Sequence, residues 1–162
     1  MIIRKANPDD MQAVLGLIQE LADFEKEPDA VLVTVDDLKK DGFGTNPLFY
    51  VFVAEVDSDL QAKQIVGIAL YYYRYSTWKG KIIHLEDLVV KSSMRGKGIG
   101  NALFSEIIKQ GKRDKVRRID WHVLDWNKPA IDFYEKAGAN VLKDWYLTQI
   151  DEQGIATFLE NN

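Results

Sequence analysis

Leu85-Glu-Asp-Leu-Val-Val-Lys-Ser-Ser-Met-Arg-Gly-Lys-Gly-Ile-Gly-Asn-Ala-Leu103 is the stretch that decides the fold. It joins the end of a buried strand, a short basic loop rich in glycine, and the start of a helix. Gly96, Gly98 and Gly100 lack a Cβ, so backbone there can approach a ligand closely. The first N–H groups of the helix that follows have no intrahelical partner and attract anions. Arg95 and Lys97 add positive charge. A strand feeding such a loop is a phosphate-binding device, and two acids, Glu86 and Asp87, stand just upstream.

Three ligand classes use loops of this kind. A Walker loop ends in Gly-Lys-Ser/Thr; here Gly100 is followed by Asn101 and Ala102, which rejects it. A dinucleotide fingerprint needs Gly-x-Gly-x-x-Gly after the first parallel strand. Counted from Gly98, the third glycine is replaced by Leu103, and several hairpin strands precede the loop. The third pattern, Arg/Gln-x-x-Gly-x-Gly/Ala, is satisfied by Arg95-Gly-Lys-Gly-Ile-Gly100. A second strand–loop–helix unit follows downstream, Asn127-Lys-Pro-Ala-Ile-Asp-Phe-Tyr-Glu-Lys-Ala-Gly138, with a tyrosine on its helix.

Working outward, residues 2–6 form a short first strand. Asn7 caps a helix with Pro8 in its first turn. Met11, Val14, Leu15, Ile18, Leu21 and Ala22 then recur at helical spacing through about Phe24. Thr34 and Asp37 make a capping box for a short helix to Lys40, stopped by Gly42. Residues 49–56 and 65–75 are aromatic and β-branched strands around a polar hairpin loop at 57–64. The cluster Tyr71, Tyr72, Tyr73 and Tyr75 is expected to pack on a sheet. Trp78-Lys-Gly80 turns the chain into a third strand, residues 81–90, so the three form an antiparallel meander. The helix after the glycine loop runs to about Gly111, and the basic run 112–118 is its solvated end. Further strands are expected at 118–124, 141–150 and 155–159, the last two joined by a turn at 151–154. Helices interleaved with a mostly antiparallel sheet make the class α+β, or mixed α/β.

Composition narrows the function. At 162 residues the chain suggests one domain, 1–162, with a sizeable core. A net charge of −4 argues against a general nucleic-acid binder. With no cysteine, disulfides, thiolate catalysis and cysteine metal sites are excluded. With only His84 and His122, no histidine-built metal site is expected. No apolar run approaches the ~20 residues of a membrane-spanning helix, and the polar N-terminus does not read as a signal peptide. The default expectation is a cytoplasmic protein that binds neither nucleic acid nor membrane.

Together the 85–103 and 127–138 stretches resemble the GNAT-type (Gcn5-related) N-acetyltransferases, over essentially the whole chain. Within them, Leu21-Ala-Asp-Phe-Glu25, Asp41-Gly-Phe-Gly44, Trp78-Lys-Gly-Lys81, Leu85-Glu-Asp87 and Trp126-Asn-Lys-Pro129 are most similar to the diamine (spermidine/spermine) and thialysine acetyltransferases. The resemblance implies a central sheet with splayed strands, a homodimer, and acetyl-CoA as co-substrate with no metal. It implies that Leu88, Val89 and Val90 offer backbone groups to the pantetheine arm. Gly96, Lys97, Gly98, Ile99, Gly100 and Asn101 would cradle the pyrophosphate with Arg95 nearby, and Asn127, Lys128, Pro129 and Ala130 would also face the cofactor.

Direct transfer of an acetyl group to an amine needs a base, an acid and an oxyanion donor. A primary alkylammonium, with pKa about 10.4, must lose a proton before it attacks, and the departing thiolate benefits from gaining one. The resemblance implies Tyr134 as the acid, Glu86 as the base or as an ion-pair partner of the substrate, and a backbone N–H in the Val89 region as the oxyanion donor. Phe24, Glu25, Trp78, Glu86, Asp87 and Trp145 fall where relatives shape the amine pocket. Carboxylates beside tryptophan suit an alkylammonium. An acid found two positions before the tryptophan in polyamine-acetylating relatives is Ser76 here, and the acidic pattern near Trp145 is reduced to Lys143-Asp144. Thialysine-like amino acids and short diamines therefore stay open as substrates. The alternatives are a catalytically silent acyl-CoA-binding sensor and an enzyme acting on a protein amine.

Overall fold

The fold begins with a set of helix caps that local sequence dictates. In the computed structural model, which describes residues 1–57 and 63–161, Asn7 and Asp10 form a reciprocal capping box around a single 3-10 turn, Pro8–Asp10. Helix α1, Met11–Glu25, continues from it. Thr34 and Asp37 cap α2, Val35–Phe43, in the same way. Gly42 does not stop α2, as the sequence suggested, but lies inside it. A Cβ there would come within 2.8 Å of the Phe49 ring, so the glycine makes room for a packed aromatic side chain. Helix α3, Ile99–Arg113, likewise passes through Gly111, where a Cβ would sit 2.8 Å from Ile119.

The chain divides into two compact units, Met1–His122 and Val123–Asn162. The first holds a five-stranded sheet in the order β1-β2-β3-β4-β5. Strands β1 (Ile2–Lys5), β2 (Tyr50–Asp57), β3 (Lys63–Ser76) and β4 (Gly80–Val90) pair antiparallel, as the meander predicts. The expected loop at 57–64 lies mostly outside the described residues. Val51, Val53, Ile68, Leu70 and Val89 join Met11, Val14 and Leu17 of α1 and Leu38 of α2 in one buried cluster. On the opposite face Gly67 lets α3 settle onto the sheet, since a Cβ there would come within 3.0 Å of Leu103 and 3.3 Å of Ile99. The tyrosine cluster does pack. Tyr71 is buried and stacks on Tyr50 and Phe52, and Tyr73 hydrogen-bonds to Asp114 beyond the end of α3.

The strand expected at 118–124 is reduced to β5, Ile119–Asp120, which pairs parallel with Ile83 and His84. Trp121 leaves the ladder and packs edge-on against Phe104 of α3. The second unit contains two helices, α4 (Lys128–Lys136) and α5 (Glu152–Glu160). The strands expected at 141–150 and 155–159 are overturned: the first stretch has no regular element and the second is helical. The reason is local. The Asp151 carboxylate accepts from the Gly154 N–H at 2.7 Å and starts a helix where a hairpin turn was expected.

Arg4 clamps this architecture at its beginning. Its guanidinium donates to both oxygens of Asp10, at 2.7 and 2.9 Å, and to Glu55 of β2. Asp10 also accepts from the Asn7 N–H at 2.8 Å. Arg4 therefore holds the Asp10 carboxyl below its ordinary range. Asp10→Asn is expected to lower the unfolding free energy by about 2 kcal/mol at neutral pH, measured by denaturant titration. A carboxyl with a lowered folded-state pKa stabilises the fold above the unfolded value of about 3.9 and loses that contribution as pH falls through the folded value. The gap between the two proteins should therefore close in acid.

Candidate active site

Strand β4 carries Glu86 and Asp87, and its register explains how they are presented. Tyr71 pairs with Leu85 and the adjacent Leu70 pairs with Asp87, leaving Glu86 as an extra residue on β4. Such a bulge disrupts the ladder locally and re-aims side chains. The Glu86 side chain is 51% exposed although it follows four buried residues. Asp87 is partly covered and its pKa is pushed up to about 6, first by burial, then by the carboxylates of Glu86 and Glu25. Glu25, the last residue of α1, is itself raised by burial. Glu25, Glu86 and Asp87 thus share one electrostatic neighbourhood. Phe24 beside them is partly exposed, and Trp78, in the turn between β3 and β4, is largely exposed.

Beyond β4 the chain makes a 3-10 turn, Ser92–Met94, and enters the glycine loop. Gly96 and Gly98 have φ of +76° and +78°, a conformation that side chains resist. A Cβ on either would meet open space, so these glycines answer to backbone conformation, not crowding. Helix α3 then starts at Ile99 with no side-chain cap on its first N–H groups. That leaves Ile99, Gly100 and Asn101 at the positive end of a fifteen-residue helix. Arg95 turns back toward the strand: its Nε donates to the Val90 carbonyl at 3.1 Å and its guanidinium lies 5.3 Å from the centre of the Phe24 ring. Lys97 is exposed, with its Nζ 3.4 Å from the Met94 sulfur. Leu88, Val89 and Val90 pair with β3 on one side. On the other side β5 pairs only with Ile83 and His84, so among the described residues no strand covers the rest of that edge.

Asn127, Lys128, Pro129, Ala130, Tyr134 and Trp145 belong to the second unit. Asn127 caps α4, its side-chain oxygen accepting from the Ala130 N–H at 3.3 Å, with Pro129 in the first turn. Tyr134 is buried, packs edge-on against Phe133, and has its pKa pushed up to about 12 by burial. Trp145 is 70% exposed and lies outside any helix.

Two polar residues of the first unit, His84 and Asp120, were given no site role in the sequence reading. His84 is buried, with Nδ1 2.8 Å from Asp120 Oδ1 and Nε2 3.6 Å from Glu86 Oε2. The signal was present: a histidine within the apolar run Ile82-Ile83-His84-Leu85, and an acid in the middle of Ile119-Asp120-Trp121. Among the described residues no group of three or more His, Cys, Asp or Glu is arranged to hold a metal, and no helix is long and apolar enough to cross a membrane.

Comparison with known proteins gives this geometry a context. The profile of the acetyltransferase (GNAT) family matches residues 15–139. A thialysine N-epsilon-acetyltransferase of Bos taurus is 40% identical over 147 residues, 89% of this chain and 86% of the bovine protein. The spermidine/spermine N(1)-acetyltransferase-like protein 1 of Homo sapiens is 36% identical over 156 residues, 93% of this chain and 22% of the human protein. The crystal structure of a tetramutant of the BH1408 protein of Bacillus halodurans superposes with a TM-score of 0.73 at 25% identity, covering 93% of this chain and all of that one.

Burial makes Asp87 costly to the fold. Its raised pKa means that stability falls as pH climbs from the unfolded value of about 3.9 through about 6. Asp87→Asn should therefore stabilise the protein by about 2 kcal/mol above that range, with the gain vanishing below pH of about 4, as read from thermal unfolding against pH.

Proposed function

The chain belongs to the acetyltransferase (GNAT) family, and we propose that its acceptor is a short cationic amine of the thialysine or diamine type. The protein is an acetyl-CoA-dependent N-acetyltransferase that modifies a small amine. One observation carries the choice of acceptor: the carboxylates of Glu86, at the bulge of β4, and Glu25, at the end of α1, both act on the partly covered carboxyl of Asp87. Three neighbouring carboxylates with exposed aromatic rings at Phe24 and Trp78 suit an alkylammonium ion through charge pairing and cation–π contact. Trp145 completes the amine-binding set in this reading.

Acetyl-CoA takes the glycine loop and the β4 edge. The uncapped N–H groups at the start of α3, between Gly96 and Asn101, receive the pyrophosphate. Lys97 adds a mobile positive charge, while Arg95 fixes the loop to Val90. Backbone groups of Leu88, Val89 and Val90 hold the pantetheine arm, and a backbone N–H in the Val89 region polarises the thioester carbonyl. Asn127, Lys128, Pro129 and Ala130 supply further cofactor contacts.

Glu86 draws a proton from the ammonium so that the free amine can attack the thioester carbonyl. The C–N bond forms, the nitrogen of the adduct loses its second proton to water as the C–S bond breaks, and Tyr134 protonates the departing sulfur and regains its own proton from water. Burial supports the last role, because a phenol with pKa near 12 keeps its proton throughout the neutral range. A silent acyl-CoA sensor is not favoured, since the curated relatives are acetyltransferases. The same proposal treats residues 1–162 as one catalytic domain, acting in the cytoplasm as a homodimer. Leu142, Trp145, Tyr146, Leu147, Phe158 and Leu159 are all exposed and supply apolar surface for a second copy to cover.

Release of free thiol from acetyl-CoA over a panel of amines tests the acceptor. Thialysine and short diamines should turn over faster than long polyamines. Turnover only on protein lysines or N-termini would reassign the substrate, and binding without turnover on any amine would restore the sensor. Tyr134→Phe should lose about a hundredfold or more in kcat while keeping its affinity for acetyl-CoA by calorimetry. Light scattering should return twice the 18.5 kDa of one chain; the mass of a monomer would remove the homodimer.

A further inference from the structure

The polar groups of β4 continue behind Glu86. His84 is buried, and the parallel register sets it opposite Asp120, so the backbone itself fixes their contact. Asp120 Oδ1 lies 2.8 Å from Nδ1, and the other oxygen of Asp120 is held by Arg74 at 3.3 Å and Arg118 at 3.1 Å. The rings of Tyr72 and His122 flank the imidazole, each with its centre 5.2 Å away. The groups facing His84 are therefore Tyr72 and Arg74 from β3, Glu86 from β4, and Arg118, Asp120 and His122 from β5 and its flanks.

A carboxylate at Nδ1 fixes the tautomer with its proton on that nitrogen, which leaves a lone pair on Nε2. Nε2 faces the carboxylate of Glu86 at 3.6 Å, too long for a hydrogen bond and close enough for a small side-chain rotation to make one. A lone pair facing a carboxylate is satisfied when a proton lies between them.

We infer that His84 is a positioning residue for the acetyl transfer, receiving on Nε2 the proton that Glu86 takes from the substrate ammonium, with Asp120 holding the imidazolium. The step balances. The ammonium gives its proton to the Glu86 carboxylate and becomes the amine. The Glu86 carboxyl passes it to Nε2 and is again a carboxylate, and the imidazolium returns it through Glu86 to solvent after turnover. This inference rests on Glu86 being the base.

The experiment follows kcat and both KM values of the full chain against pH, with acetyl-CoA and the best amine of the panel, for wild type, Glu86→Gln, His84→Gln and Asp120→Asn. His84→Gln should lose about ten- to a hundredfold in kcat near neutral pH with the KM for acetyl-CoA unchanged. The deficit should shrink as pH approaches about 10, where the amine arrives already deprotonated. Asp120→Asn, which keeps the imidazole, should show the same pH-dependent loss. A merely structural role would depress activity equally at every pH, and that result overturns the inference. Loss in Glu86→Gln with a wild-type pH profile in His84→Gln also overturns it and leaves the base standing. Wild-type kcat in Glu86→Gln overturns the base itself. Should His84→Gln fail to fold, imidazole nitrogen NMR of the intact protein decides. The resting proton belongs on Nδ1, beside Asp120; a resting Nε2–H tautomer sinks the relay.

Discussion

Strand β4 contains one residue more than its partner can match, and the placement of Glu86 and Asp87 depends on that mismatch. Residues two apart on a strand ordinarily share a face. Because Leu85 pairs with Tyr71 and Asp87 with the adjacent Leu70, these two point to opposite faces instead. Leu85 is buried, while Asp87 comes round to the face that α1 covers, beside Glu25. Glu86, at the bulge, is pushed outward into solvent while its neighbours stay packed. A regular ladder would have sent Asp87 to the face of Leu85, where no carboxylate could be tolerated without a partner.

That arrangement is held by interactions far from it. The bulge persists only because the ladder on either side is pinned, by the fully buried Val66 and Ile68 on one side and by Ile82 and Ile83 on the other. Gly67 allows α3 to press on β3 and β4, and the same contact sets where α3 begins. The start of α3 is therefore fixed by core packing, while its first N–H groups are left free of side-chain caps. In the proposed reading, the two ends of this one short stretch serve as an anion-binding backbone and a cation-binding cluster of acids. The raised pKa of Asp87 records the stability that its burial costs, with the carboxylates of Glu86 and Glu25 adding to it. A cation beside the three carboxylates would offset that cost.

The donor side of the chemistry was legible in the sequence because it is written in backbone rules. Glycines at Gly96 and Gly98, an uncapped helix start and an apolar strand before them are local features, and each stands where expected. The caps at Asn7 and Thr34 were equally legible, since a short polar side chain three residues from an acid has few other uses. Element ends were not. Gly42 and Gly111 signal helix stops by propensity, yet tertiary packing against Phe49 and Ile119 overrides it. Residues 141–159 misled for a different reason. Their β-branched and aromatic content favours strands, but Asp151 is a strong cap, and Ile155, Phe158 and Leu159 follow at helical spacing. The contact between His84 and Asp120 was out of reach, because it depends on a parallel pairing across thirty-six residues that no local pattern announces.

The acceptor side is spread over side chains from separate elements, and this explains why the family is easier to identify than the substrate. Backbone cradles bind any ligand carrying a pyrophosphate, so a single loop names the donor class. An amine pocket is a sum of charges and rings, each of which also has a structural use. Glu25 ends a helix, Trp78 sits in a turn, and Asp87 lines a packed face. What separates function from packing is the cost a group carries. Glu25 and Asp87 are ionisable groups pushed toward their neutral forms, and Tyr134 is a phenol driven in the same direction. Catalysis by proton transfer needs groups whose proton affinities differ from those in water. His84 enters on geometry alone: its imidazole is buried, anchored at Nδ1 to Asp120, and turns Nε2 toward Glu86, the contact on which the proposed relay is built.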